Sequence, residues 1–468
     1  ALATGVATAV SVPLDRAGVG WLVAAVVAAG AVAVVAGTTG RTGGRAGLAR
    51  LGWLLATVCL VGAGTIRAAD WLTVLCLLTA AGTAALAITE GRDVRGMVLG
   101  VLAVPAAAFR APRWGARGLS RLRGDRGGTA ARGAAAVAVT AVLLIVFGAL
   151  FASADAAFAR LTGAVTPDLE VASAVRWVFL FAVGSVALLA AAYLLVAPPD
   201  LGGLKRAATA RLSRWEWALP VAALDGLFAV FVAVQFTVLF GGAEHVLGSD
   251  GPSFAQYARG GFWQLLVVTL LTLAVLAAVG RWAPRATRRD RVLLRALLGA
   301  LAGMALVVVA SALYRMHIYE EAYGFTRLRV LVSACEVWLG AVFVLVLAAG
   351  VRLRAGWLPR AVVGTAVAAL LGLVALNPDR FIAERNIERY VHTQRLDVWY
   401  LGTLSADAAP ALVELSPALR ACTLEHLPAE LALTDGDWRY WNLARSRARA
   451  LLAEKPVGSP EPLDCMTR

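Results

Sequence analysis

Lysine is almost missing: Lys205 and Lys455 are the only two in 468 residues, and all other basic charge is arginine. That bias matches the codon usage of a GC-rich genome and carries no functional message. Charge of either sign is sparse, at 16% of the chain, too little to wet the surface of a soluble protein this long. No Gly-x-x-x-x-Gly-Lys-Ser/Thr loop occurs, which excludes a self-powered ATPase of that type. Gly40, Gly43, Gly44 and the glycines near 124–128 sit in arginine-rich turns, not in a dinucleotide fingerprint. His-Glu-x-x-His and Gly-x-Ser-x-Gly are also absent, so motifs name no catalytic residue and no cofactor. The four histidines (His245, His317, His392, His426) show no ligand spacing with one another, and no metal site is expected. No inverted repeat of the secondary-transporter kind is visible. A net charge of +14 would suit nucleic acid, but the arginines lie in short loops without an aromatic-interleaved basic domain. Nucleic acid is therefore not an expected partner. The chain starts at Ala1 instead of Met, so upstream residues are expected, and no signal-peptide cleavage site is read.

What is abundant is apolar: 60% of residues, with a mean hydropathy of +0.73. Runs of about 17–25 apolar residues, enough to cross a bilayer as a helix, predict an all-α polytopic bundle of about eleven spans. They fall at 1–12 (short), 19–37, 51–66, 71–89, 133–152, 172–196, 217–241, 261–280, 293–314, 328–350 and 359–376. A further run, 96–109, has basic residues on both sides and reads as a re-entrant or interfacial segment. The bundle is thus expected over 1–376, and a small soluble helical domain over 377–468.

Arginine placement predicts the orientation. Roughly 25 basic residues fall in one alternating set of loops, from Arg41, Arg45 and Arg50 through the dense 110–132 run to Arg352, Arg354 and Arg360. Only a handful occupy the other set. The positive-inside rule makes the rich set cytoplasmic, where it meets anionic headgroups of membrane lipids. The alternation is unbroken only if 96–109 does not cross. The expected location is then the bacterial plasma membrane, with the 377–468 domain extracytoplasmic and available to a protein partner.

In that domain Asn377-Pro378-Asp379 reads as a helix start, with Asn as cap and Asp at the positive end of the dipole. Phe381, Ile387 and Tyr390 or Val391 are expected to form its apolar stripe. A second helix opens at Ser405, and a third runs from Asp437-Trp438 through Leu452. Cys59, Cys76 and Cys335 lie in spans, where a thiol is a small hydrophobe. Cys422 and Cys465, the remaining two, are expected to pair as a disulfide in an oxidising compartment. Cys422-x-x-x-His426 has helical spacing for a metal pair but supplies only half a site.

Three groups carry candidate chemistry. Asp225, Glu336 and Gln235 lie inside spans; the two carboxyls sit roughly 10–12 Å deep at 1.5 Å per helical residue. Each marks either a pathway or a hydrogen-bonded tie between helices. In the 315–329 connection, Arg315, Tyr319, Tyr323 and Arg327 recur every four residues and share a face if helical. Glu320 adds acid there, while Glu320 and Glu321 diverge by about 100° and make a poor acid–base dyad. This group reads either as an aromatic interfacial belt or as a headgroup site gripped by Arg315, Arg327 and Arg329. The third group gathers Asp155, His245, Tyr257 and Arg259 from outer loops, a candidate ligand surface.

Several stretches resemble one family. They are Leu150-Phe-Ala-Ser-Ala-Asp155-Ala-Ala-Phe158, Gln235-Phe-Thr-Val-Leu-Phe-Gly-Gly242 and Tyr257-Ala-Arg259-Gly-Gly-Phe262-Trp-Gln-Leu265. To these add Tyr314-Arg315-Met-His-Ile-Tyr319, Tyr323-Gly324-Phe-Thr326, and Asn377-Pro-Asp followed by Asn386-Ile-Glu-Arg389. Together they resemble a bacterial family of polytopic membrane proteins labelled domain of unknown function 4153 and 4173. The resemblance, from about residue 133 onward, implies an architecture and no activity. The expected function is accordingly a non-enzymatic, transporter-like or sensory envelope membrane protein. The alternatives are an outer-leaflet enzyme acting on a lipid-linked substrate, or a membrane scaffold.

Overall fold

The computed structural model describes residues 1–40, 43–91, 93–123, 171–198, 213–240, 254–353 and 355–458, with isolated positions between 136 and 151. Every regular element among them is helical: α1 (Leu2–Ser11), α2 (Val19–Thr38), α3 (Gly44–Ile66), α4 (Asp70–Thr89), α5 (Val94–Arg123) and α6 (Val171–Val196). There follow α7 (Arg214–Phe240), α8 (Phe254–Trp282), α9 (Arg288–Tyr323), α10 (Arg327–Arg352), α11 (Leu358–Leu376) and α12 (Pro378–Thr393). Shorter helices close the chain: α13 (Val398–Gly402), α14 (Ala409–Leu412), α15 (Pro417–Leu424), α16 (Leu427–Ala432) and α17 (Leu443–Glu454). Ten of these helices are long and apolar enough to cross a membrane. The fold is an all-α polytopic bundle. The predicted span 133–152 lies outside the described residues except for scattered helical positions.

Most spans sit where the apolar runs placed them, but their helices overrun at the ends. α9 continues through Arg315–Tyr323, which the sequence reading treated as a connection. It stops at Gly324, whose φ of +81° suits a residue without Cβ. The 96–109 run belongs to one continuous helix, α5, with no chain reversal inside it.

The chain forms two compact units. The first holds residues 1–201 together with Ala429–Arg449. Within it α1 packs closely on α6, because Gly5 and Gly184 leave no side chain between them: a Cβ on Gly5 would strike Ser185, and one on Gly184 would strike Thr8. The 429–449 segment is stitched to the loops of this unit. Asn442 Nδ2 donates to the carbonyls of Gly64 and Arg67 at 2.8 Å each, ending α3, and Val19 N–H donates to the Trp441 carbonyl at 2.9 Å. Arg445, 2% exposed, donates to the Ala17 and Tyr440 carbonyls, and Arg16 pairs with Glu430. The predicted third tail helix is therefore split. Asn442 Oδ1 accepts from Arg445 N–H and opens α17, while Trp438–Tyr440 forms a separate 3-10 turn.

The second unit holds residues 202–428 and 450–468. Its core joins α7, α8, α9 and α10 through Trp217, Phe228, Leu276, Leu301, Val308 and Phe343. Helices α10 and α11 pack side by side, and Asn377 links α11 to α12 with a left-handed backbone, φ +58°. α12 thus starts at Pro378 as read from the sequence, but Asn377 makes no side-chain cap bond; its part is the bend. Its inward face carries Asp379, Ile382, Ala383 and Asn386. The expected stripe is not that face, and Val391 is exposed. Polar residues point inward because they bind backbone and arginine, as described next.

Candidate functional site

The α9–α10 turn is clamped by α12. Asn386 accepts from Phe325 N–H at 3.0 Å and donates to the Phe325 carbonyl at 2.9 Å, so one amide satisfies both ends of a peptide residue that no helix serves. Thr326 caps α10 by accepting from Arg329 N–H. Arg327, the first residue of α10, donates to both oxygens of Asp379 at 2.9 and 2.6 Å. Asp379, fully buried, also accepts from Ser405 N–H at 2.9 Å, and Tyr400 Oη accepts from Arg327 N–H at 2.7 Å. Burial pushes the Asp379 carboxyl up, but the Arg327 bonds and charge and the Ser405 bonds outweigh it and hold its pKa below the usual value. Burial pushes the Tyr400 phenol up.

Beside this clamp opens a cleft of about 870 Å³. Its apolar walls come from α10 and α11, including Val330, Val337, Gly372, Leu373 and Leu376. Its rim is charged: His317, Glu320 and Glu321 from α9, and Arg385, Glu388, Arg389 and His392 from α12. Much of this charge is already paired. Arg385 meets Glu388 at 2.9 Å, and His317 meets Glu321 at 3.3 Å. Glu320 is only 6% exposed and lines the cleft together with Ser333 of α10. Glu321 is exposed, so the two adjacent carboxylates do diverge.

The predicted face of Arg315, Tyr319, Tyr323 and Arg327 does not form, because the break at Gly324 moves Arg327 onto α10. Tyr319 and Tyr323 do meet, with ring centroids 4.9 Å apart, and the Arg329 guanidinium lies 4.3 Å from the Tyr319 ring. Arg329 also donates to the Tyr323 and Gly324 carbonyls. Arg315 turns toward α7 and donates to Gln235 Oε1 at 2.7 Å; Ser311 donates to the same oxygen at 2.8 Å. The three arginines expected to grip one headgroup therefore serve three separate partners.

Gln235 is a buried tie between α7 and α9. Asp225 and Glu336 are different: neither carboxyl has a hydrogen-bond partner among the described residues, and Glu336 is 1% exposed. Neither lines the cleft. Asp155 and His245 lie outside the described residues; Tyr257 and Arg259 fall on α8, with their side chains outside them. No group of three or more metal-ligating side chains occurs among the described residues. Cys422 is disulfide-bonded, and Cys59, Cys76 and Cys335 are free; Cys465 lies outside the described residues.

Asp379, Asn386 and Tyr400 were not read from the sequence as site residues. Asp379 and Asn386 were nonetheless visible as parts of the Asn377-Pro-Asp and Asn386-Ile-Glu-Arg389 stretches. The same stretches belong to a recognised family: the one described as "Domain of unknown function (DUF4153)" matches residues 55–415. The chain belongs to this family. The match runs from within α3 to just past α14, so it takes in the clamp and the whole cleft. No curated protein and no solved structure matches the chain.

Proposed function

We propose that this multi-pass membrane protein holds an amphiphilic ligand, a lipid or lipid-linked molecule, in the α9–α12 cleft, and that it works as a binding or sensory protein of the bacterial cell envelope. The observation that carries this reading is the division of the cleft: apolar walls between two span-length helices, and a rim of both charge signs. An acyl chain fits the first and a polar head the second. Arginine alternation favours the plasma membrane, with the basic loops cytoplasmic and the clamp and Asn377 onward extracytoplasmic. Transport has less support, since Asp225 and Glu336 do not reach this cleft.

The test is Gly372→Phe. A Cβ on Gly372 meets nothing within 4 Å, so the new ring fills the cleft without displacing backbone. Native mass spectrometry of the full chain released from nanodiscs is expected to show a retained amphiphile that the variant loses by tenfold or more. Equal retention by both proteins refutes the reading. One observation favours a second reading, an enzyme on a lipid-linked substrate: Ser333 and the buried Glu320 line the same cleft, the residue types of a nucleophile and base. Ser333→Ala separates the two, since a binding protein keeps its ligand unaltered whereas an enzyme loses turnover.

A further inference from the structure

Helix α5 is long enough to cross a bilayer, and by length and composition its Val94–Gly118 stretch qualifies as a span. Its contacts place it elsewhere. The C-terminal ends of α2, α4 and α6 share one core cluster, in which Ala36, Ala87 and Ile88 meet Leu194 and Leu195, so these ends mark one level of the first unit. α5 begins at that level, with Gly100 against Thr89, the last residue of α4. It is still near that level fifteen residues later. Gly115 lies against Leu189, and the Trp114 ring meets Tyr193 edge-on at 5.8 Å. Those partners are seven and three residues from the end of α6 at Val196, about 10 and 5 Å along its axis. The α5 axis covers about 22 Å between Gly100 and Gly115. A crossing helix would carry Trp114 about 20 Å from that level, beside the middle of α6 near Val183 and not beside Tyr193.

Three sectors run along α5. Ala107 and Ala111, at 3% and 0% exposure, pack on the bundle. Val94, Val98, Leu102 and Phe109 form an exposed apolar line, with Phe109 at 83%. Arg110, Arg113 and Arg117 form an exposed basic line between the two. We infer that α5 lies in the plane of the membrane, its apolar line dipped into the acyl boundary and its arginines on anionic lipid headgroups. Charge complementarity selects the occupant, because an apolar line flanked by arginine suits an anionic lipid surface. Nine of the ten span-length helices then remain as crossings.

Two measurements on the full chain test this. In a background with Cys59, Cys76 and Cys335 replaced by alanine and the Cys422 disulfide kept, Arg95→Cys and Gly118→Cys place one thiol near each end of α5. Both positions are exposed, and a Cβ on Gly118 meets nothing within 4 Å. A membrane-impermeant maleimide applied to sealed vesicles is expected to label both from the same side. Labelling from opposite sides overturns the in-plane placement. In nanodiscs of phosphatidylcholine mixed with phosphatidylglycerol, the chain is expected to enrich phosphatidylglycerol around it. The variant Arg110→Gln/Arg113→Gln/Arg117→Gln should lose that preference by roughly fivefold for each arginine removed. Unchanged enrichment overturns the headgroup assignment.

Discussion

Replacing Asp379 is the sharpest test of how the second unit is held together. Its carboxylate is fully buried and takes two bonds from Arg327 and one from Ser405 N–H, while the Arg327 side chain keeps 31% of its surface exposed. Removing one partner of a buried pair costs about 3–5 kcal/mol. Because Arg327 can still turn partly to water, Asp379→Ala is expected to cost less than a fully buried pair, about 2–3 kcal/mol. At roughly 2–4 °C per kcal/mol for a body of this size, apparent melting falls by about 5–10 °C. The assay is thermal unfolding in detergent followed by tryptophan fluorescence, run as a double-mutant cycle with Arg327→Ala. The coupling should recover most of the single-variant loss. The pH dependence has a defined sign. The folded-state pKa of Asp379 is depressed, so its contribution is complete above the unfolded carboxyl value near 3.9 and is lost as pH falls through the lower folded value. The gap between wild type and Asp379→Asn should be flat from about pH 5 to 8 and shrink below about pH 4. Equal melting of the two proteins at pH 7 would refute the clamp.

Three other perturbations follow from the same physics. Gln235→Leu strips the shared acceptor of Ser311 and Arg315 and should destabilise by about 1–3 kcal/mol in chemical unfolding, with no loss if the α7–α9 tie is idle. Glu336→Leu removes a buried carboxyl without a partner among the described residues, so its melting point should equal or exceed that of wild type. A clear drop there would show that Glu336 is tied into the bundle after all. Asn442→Ala unties the 429–449 segment from the end of α3 and should speed limited trypsin cleavage at Arg445, Arg447 or Arg449 several-fold; unchanged cleavage would mean the stitch carries no load.

The spans were legible because lipid imposes a simple demand: about twenty apolar residues with every backbone bond satisfied inside the helix. Hydropathy marks the part of a helix that sits in hydrocarbon, not the whole helix. That is why α9 runs nine residues past its predicted end, through arginine, tyrosine and glutamate, until Gly324 offers a left-handed exit. For α5 two signals in the sequence point in opposite directions: arginine alternation argues against a crossing, whereas Val94–Gly118 is long and apolar enough to make one. Which carbonyls Asn442 and Arg445 would meet could not be read at all. Gly64, Arg67 and Ala17 lie more than 370 residues away, and hydrogen bonds to backbone leave no compositional trace.

The candidate site shows the same division between residue type and partner. Charged and aromatic residues at 315–329 read as one face, but a four-residue period presupposes one helix, and the chain breaks inside it. Once broken, each arginine finds its own partner: Arg315 on α7, Arg327 on α12, Arg329 on the turn and the Tyr319 ring. The break is also what makes the cleft. Asn386 holds Phe325 from α12, and Phe381 packs edge-on against the Phe325 ring at 5.5 Å, so α12 is pinned across the turn. Arg385, Glu388, Arg389 and His392, on the same helix, are thereby carried to the rim above the apolar walls of α10 and α11. Stretches more than fifty residues apart thus serve one end: Gly324 to Arg327 form the turn, and Asp379 and Asn386 hold it. On the proposed reading the rim and walls would touch the amphiphile while the clamp acts through them, so Asn386→Ala should loosen amphiphile retention without altering any residue of the walls.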